Sequence, residues 1–185
     1  NIVSKQKMET MKEMDYIESV IFSIENAKTM QDIDEIYGEV SEYLGIKKDS
    51  NKKSNMNNSK KDEENIPEPV EIMGYKVYVG KNNIQNNNLT LKFARATDIW
   101  FHAQKIHGSH VVLRVENQND DIPDEVLYEC ARLAMRHSKA KNSTNVPVDY
   151  CEIKFVKRAP NGKPGMVNYT NFNTIIYENT QFDSD

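Results

Sequence analysis

The stretch that most constrains the fold is Asp98-Ile-Trp-Phe-His-Ala-Gln-Lys-Ile-His-Gly-Ser-His-Val-Val-Leu-Arg114. It holds the only tryptophan and three of the four histidines of the 185-residue chain. Two short apolar runs, Ile99–Phe101 and Val111–Leu113, flank a polar bend. Both are rich in β-branched or aromatic residues, which reads as two buried strands joined in a hairpin-like unit. Gly108 is expected to give the bend its conformational freedom. Side chains alternate along a strand, so Trp100, His102, His110 and Arg114 fall into registers that put aromatic and polar groups on common faces. That concentration of stacking and hydrogen-bonding groups marks the stretch as the place to look for function.

Charge is uneven around it. Residues 1–65 carry ten Lys and fourteen Asp or Glu, whereas residues 66–185 carry fourteen Lys or Arg, fourteen Asp or Glu and all five arginines. Net charge therefore does not make the chain a basic nucleic-acid binder, and such a role must come from a local patch. Cys130 and Cys151 lack C-x-x-C spacing, so buried free thiols in a reducing cytosol are expected, with no disulfide framework or zinc ribbon. No apolar run approaches a membrane span and no signal peptide is visible. The chain starts without Met, which reads as a piece of a longer protein.

In chain order, residues 1–28 lack Gly and Pro, and Met14, Ile17, Ile21 and Ile24 follow a three-four-three spacing. This is a coiled-coil seam or one face of an amphipathic helix packing on a partner helix. Thr29-x-x-Asp32 is a capping motif for a second helix, whose apolar face is Ile33, Ile36, Tyr37, Val40, Tyr43 and Leu44 and whose end is Gly45. Residues 1–46 thus form an αα unit, the helical end of a coiled-coil region. Residues 47–66 are nearly all polar and read as a flexible linker. A globular domain is expected over residues 67–180.

That domain opens with a strand over Ile72–Val79 turning at Gly74. Gly80 to Asn88 reads as an amide-rich polar loop, before a short helix from Leu89 to about Ala96. Asparagines here cap backbone or offer a surface that hydrogen-bonds phosphates and bases. After an acidic turn over residues 116–121, Pro123 opens a long helix to about Lys141. Its core face is Val126, Leu127, Cys130, Ala131, Ala134 and Met135, and its C-terminal half is basic. A strand follows over Val146–Val156, then a basic loop over residues 157–165. A closing hairpin is expected from Met166–Tyr169 and Thr174–Tyr177, with a frayed tail after Glu178. The expected fold class is α+β, a mixed, mostly antiparallel sheet with one long and one short helix behind the αα appendage.

Enzymatic readings fare poorly. His102, His107 and His110 could bind metal, but they span a turn and lack a Cys ligand or a helical carboxylate–histidine motif. Asp98, Ser109 and His102 or His110 lack a nucleophile elbow and an oxyanion loop. No phosphate-binding G-x-x-x-x-G-K-[ST] loop exists. No cofactor or metal is expected. A binding surface fits better, with candidates Lys81, Asn82, Asn83, Gln85, Asn86, Lys92, Arg95, Trp100, His102, Lys105, Ser109, His110 and Arg114. Trp100 and His102 would stack on bases as in single-stranded RNA recognition, Trp100 having core packing as its alternative. Gly108-Ser109-His110 could also offer a small anion nest.

These residues resemble a known family. Val77-Tyr-Val-Gly-Lys-Asn-Asn-x-Gln-Asn86, Leu89-Thr-Leu-Lys-Phe-Ala94, Asp98-x-Trp-Phe-His-Ala103 and Gly108-Ser-His-Val-Val-Leu113 are similar to the NFACT-R domain. Glu129-Cys-Ala-Arg-Leu-Ala134, Ser138-Lys139 and Pro164-Gly-Met-Val167 continue the match, which covers about residues 70–178. The helices before it resemble the end of the coiled-coil middle region of bacterial NFACT proteins of the RqcH type, also labelled fibronectin- or fibrinogen-binding. His107 stands where the family usually has proline, and Asn87 where aspartate is common. The resemblance implies a cytoplasmic, nonenzymatic RNA-binding module of ribosome-associated quality control. Its implied partners are the obstructed large ribosomal subunit with its rRNA and ribosomal proteins, and tRNA. It implies untemplated alanine tailing of stalled chains, with peptide-bond chemistry supplied by the ribosome. The alternatives are a protein-interaction module or adhesin and, less compatible with the residues, a metal-dependent hydrolase. The helices also leave room for self-association.

Overall fold

The computed structural model describes residues 2–46, 66–117, 121–160 and 162–178. The expected linker falls almost entirely, and the expected tail largely, outside them. Two helices come first, α1 (Ile2–Asn26) and α2 (Met30–Tyr43). The α2 start is the capping box read from sequence. Thr29 Oγ1 accepts the Asp32 N–H at 3.1 Å, and Asp32 Oδ2 accepts the N–H groups of Thr29 and Lys28 at 2.9 and 3.0 Å. Gly45 closes the helix in the left-handed region at φ 65°. The helices pack through Tyr16, Val20 and Ile36, with Val40 and Tyr43 alongside. The α1 face that meets α2 is therefore not the three-four-three stripe. Met14, Ile17, Ile21 and Ile24 are about half exposed, at 57, 50, 47 and 51%. The three-four-three stripe points away from α2, and Ile33, Tyr37 and Leu44 of α2 are likewise exposed.

Six strands form one sheet in the order β1-β2-β4-β3-β5-β8, every neighbouring pair antiparallel. They are β1 (Val70–Ile72), β2 (Tyr75–Val79), β3 (Ile99–Ala103), β4 (Val111–Leu113), β5 (Val146–Glu152) and β8 (Asn173–Tyr177). Met73 and Gly74, at φ 49° and 85°, make the two-residue turn between β1 and β2. The central pair forms as expected, in the register Ile99↔Leu113, Trp100↔Val112 and Phe101↔Val111.

Both faces of the sheet are covered, so its strands read as nearly continuous apolar runs. On one face Val77, Phe101, Val111, Leu113, Val146 and Val148 pack under α4 (Asp124–Arg136) through Val126, Cys130, Ala131, Ala134 and Met135. That helix ends five residues before the expected Lys141; turns centred on Ser138 follow it. On the other face Tyr78, Trp100, Val112 and Cys151 pack against Leu89, Ile153 and Val156. The two cysteines are buried free thiols.

Three elements differ from expectation. Residues Asn83–Asn88 are not a loop but a helix, α3, which continues as a π-turn over Leu89–Phe93. The strand expected to run to Val156 stops at Glu152; a 3₁₀ turn (Ile153–Phe155) precedes β6 (Val156–Arg158). The closing hairpin does not form. β7 (Val167–Tyr169) pairs with β6, and β8 extends the main sheet beside β5. Each short strand finds a partner distant in sequence, which local pattern does not encode. No described helix is long and apolar enough to cross a membrane.

Candidate nucleic-acid interface

Period-two alternation places Asp98, Trp100, His102, His110 and Arg114 on the sheet face away from α4. There Trp100 is fully buried, 0% exposed, and is a core residue. Its indole stacks on His102 (centroids 5.6 Å, 14° between planes) and meets His110 edge-on at 5.2 Å. Tyr169 of β7 leans on the same indole at 4.8 Å. The Trp100 Nε1 donor is buried without a partner. Burial lowers His102 to about 4 and holds His110 well below its ordinary value, with neighbouring histidine charge adding to it. Both imidazoles are therefore neutral at physiological pH. Thr90 Oγ1, 2.8 Å from His110 Nδ1, fixes that ring.

Asn82 opens α3 by accepting the Gln85 N–H at 2.8 Å, and Gln85 Oε1 accepts the Lys81 N–H at 3.1 Å. Asn86 imitates a backbone unit. Its Oδ1 accepts the His110 N–H at 2.9 Å, and its Nδ2 donates to the Gly108 carbonyl at 3.3 Å. The bend itself is tied to the end of α4. Ser109 N–H donates to the His137 carbonyl at 2.8 Å, and Lys139 N–H to the His107 carbonyl at 2.9 Å. Gly108 is needed here for close approach and not for a positive φ, since an added Cβ would lie 2.8 Å from Ser138 Cβ. The left-handed residue in the bend is Lys105, at φ 56°.

These elements enclose a cleft of about 540 Å³ between α1, α3, the β3–β4 bend and the loop leading into β7. It gathers nine of the sequence candidates: Lys81, Asn82, Asn83, Asn86, Trp100, His102, Lys105, Ser109 and His110. Four lie outside its lining. Gln85 donates to Glu35 at 2.8 Å. Lys92 is exposed on the π-turn. Arg95 is exposed and pairs with Glu116 at 3.1 Å. Arg114 is 7% exposed, pairs with the fully buried Asp98 at 3.2 Å and lies 4.5 Å over the Phe93 ring. Asp98 faces Arg114 and the N–H groups of Arg95 and Val115, not a histidine. Among the described residues no His, Cys, Asp and Glu group is arranged to hold a metal.

Sequence reasoning missed two contributions. The loop Pro164–Tyr169 forms one wall, with the Tyr169 hydroxyl donating to Asp149 at 2.6 Å. The available signal was the Pro164-Gly165 turn pair at the end of the basic 157–165 loop. Asp15, Ser19, Phe22 and Ser23 of α1 form another, and nothing in sequence foretells that the helices dock here.

The description "NFACT protein RNA binding domain" fits residues 69–171. Over 179 residues the chain is 37% identical to the Rqc2 homolog RqcH of Bacillus subtilis (strain 168), covering 95% of this chain and 30% of that protein. Coiled-coil domain-containing protein 25 of Bos taurus is 33% identical over 103 residues, 54% of this chain and 49% of that one. Among solved structures, the C-terminal of the fibronectin/fibrinogen-binding protein from Streptococcus suis superposes with a TM-score of 0.80 at 35% identity, covering 97% of this chain and 69% of that one. The chain thus spans about 30% of the length of the RqcH protein it matches.

Proposed function

Because the chain belongs to the NFACT RNA-binding domain family, we propose that its cleft holds a single-stranded segment of RNA within a ribosome-associated quality control factor. The observation that carries this is the convergence of nine candidate residues on one cleft inside the family-matched region. Lys105 projects from the bend with an exposed side chain and supplies charge for a phosphate. His102 and Tyr169 offer neutral ring faces over the Trp100 core, suited to an unstacked base. Trp100 acts beneath them as a support, and Arg114 keeps the sheet face rigid. The module has no chemistry of its own in this reading. It docks its parent on rRNA of the obstructed large subunit or on tRNA, and the ribosome makes the peptide bonds of the untemplated alanine tail.

The test is binding of the chain to purified large ribosomal subunits between 50 and 200 mM salt (roughly the range over which a few phosphate contacts register), beside Lys105→Ala and Lys81→Ala. Affinity that falls with salt and drops at least about threefold in Lys105→Ala, with circular dichroism unchanged, is the expected outcome. Salt-independent binding that neither substitution alters contradicts the reading and favours a protein contact.

A further inference from the structure

A row of N–H donors runs from the cleft under the helical pair, and carboxylates meet every member of it. Lys81 Nζ lies 3.8 Å from Asp32. The amides of Asn82 and Gln85 both donate to Glu35 Oε2, at 2.7 and 2.8 Å. Asn83 donates to Glu39 Oε1 at 3.0 Å. His107 Nε2 stands 3.3 Å from Asp15 and 3.4 Å from Glu18, and Lys139 Nζ stands 3.5 Å from Glu18. One oxygen bridging two amide donors is the arrangement a non-bridging phosphate oxygen would adopt. We propose that this row is a phosphodiester-binding track continuing the cleft, and that the helical pair covers it as a displaceable phosphate mimic. The proposal rests on the RNA-binding reading above and adds to it the path of the backbone and its regulation.

Three observations make the cover displaceable. The apolar core of the pair, Tyr16, Val20 and Ile36, lies within the pair itself; from the domain, Met166 packs against it and Lys163 Nζ lies 4.1 Å over the Tyr43 ring and 5.8 Å over the Tyr16 ring. The seam is otherwise polar. Each of its ion pairs has a solvent-exposed member, Lys81 at 53%, Glu18 at 53% and Asp15 at 59%, against the covered Asp32 and His107, so solvent screens each contact. Where the seam is buried, Asn83 holds Glu39 through Oε1, and burial pushes the Glu39 carboxyl above its ordinary value, which weakens it as an anionic partner. Residues 1–46 hold four Lys against ten Asp and Glu, so a polyanion cannot follow the track while they cover it.

The experiment compares the whole chain with Glu35→Gln, a half-buried position where the amide oxygen still accepts from Asn82 and Gln85, and with Asp15→Asn/Glu18→Gln at exposed positions, each confirmed folded by circular dichroism. The probe is a single-stranded oligouridine RNA, read by fluorescence anisotropy and by hydrogen exchange of the α2 amides. Each variant is expected to bind at least fivefold more tightly, and saturating RNA is expected to speed α2 exchange in the wild type. RNA binding that the variants leave within twofold, with α2 exchange unchanged or slowed, overturns the displaceable cover and leaves the cleft reading standing. Absence of RNA binding in wild type and variants alike overturns both.

Discussion

Replacing Arg114 with Met separates a structural role for this cation from RNA contact. Asp98 is fully buried and has three donors: the Arg95 and Val115 N–H groups, at 2.8 and 3.0 Å, and Arg114 Nη1 at 3.2 Å. Arg114→Met leaves the carboxylate buried with two backbone donors. Breaking a buried pair from one side costs about 3–5 kcal/mol. The two remaining bonds pull this toward about 3 kcal/mol, and loss of the cation–π contact with Phe93 returns about 1 kcal/mol of penalty, part of which Met packing offsets. A net loss of about 3 kcal/mol lowers Tm by roughly 6–12 °C for a chain of this size. Urea and thermal unfolding of the whole chain measure it. Asp98→Asn/Arg114→Met removes the stranded charge and should regain about 1–2 kcal/mol. At temperatures where Arg114→Met is folded, its RNA affinity should stay within threefold of wild type. A Tm within about 2 °C of wild type together with a tenfold loss of RNA affinity would refute this reasoning and make Arg114 a ligand contact.

Two further predictions concern the bend and the rings beneath it. His102 and His110 are neutral in the fold, with pKa values below the 6.5 of an unfolded histidine. The unfolded chain therefore binds more protons in this window. Stability is full above about pH 7 and declines as pH falls from about 6.5 toward 4, each ring adding a slope of up to about 1.4 kcal/mol per pH unit. Glu39, raised by burial, opposes part of that decline at its acid end. Chemical denaturation at stepped pH checks this, and a His102→Gln profile as steep as wild type contradicts it. Gly108→Ala presses a methyl against Ser138 Cβ at 2.8 Å and the His137 carbonyl at 3.1 Å, where backbone bonds pin both sides. A loss of about 1–3 kcal/mol is expected in urea unfolding; a loss under about 0.5 kcal/mol would mean the bend yields freely.

What could be read from sequence was what neighbours in sequence decide. The Thr29–Asp32 cap, the Met73-Gly74 turn, the two central strands and the buried face of α4 each follow from patterns within a few residues. The failures share a cause. Asn is a poor helix former, so residues 83–88 read as loop; the helix exists because Asn82 caps it and because Glu35 and Glu39, more than forty residues away, satisfy its amides. The partners of β7 and β8 are chosen by the whole sheet. The apolar stripe of α1 gave the helix but not the face that meets α2, which is Tyr16 and Val20 while Met14, Ile17, Ile21 and Ile24 stay exposed. Within the candidate site, residue types found the cleft. They did not separate Trp100 and Arg114, which hold the sheet face together, from Lys105 and His102, which line the opening.

The most direct test of the central claim is ultraviolet crosslinking of the chain to single-stranded RNA, with the joined peptides mapped by mass spectrometry. The account predicts crosslinks at His102, Lys105 or Tyr169, around the cleft, suppressed by raising the salt. Crosslinks confined to Lys92 and Arg95 or to the β8 edge, with the cleft residues unmarked, would contradict it.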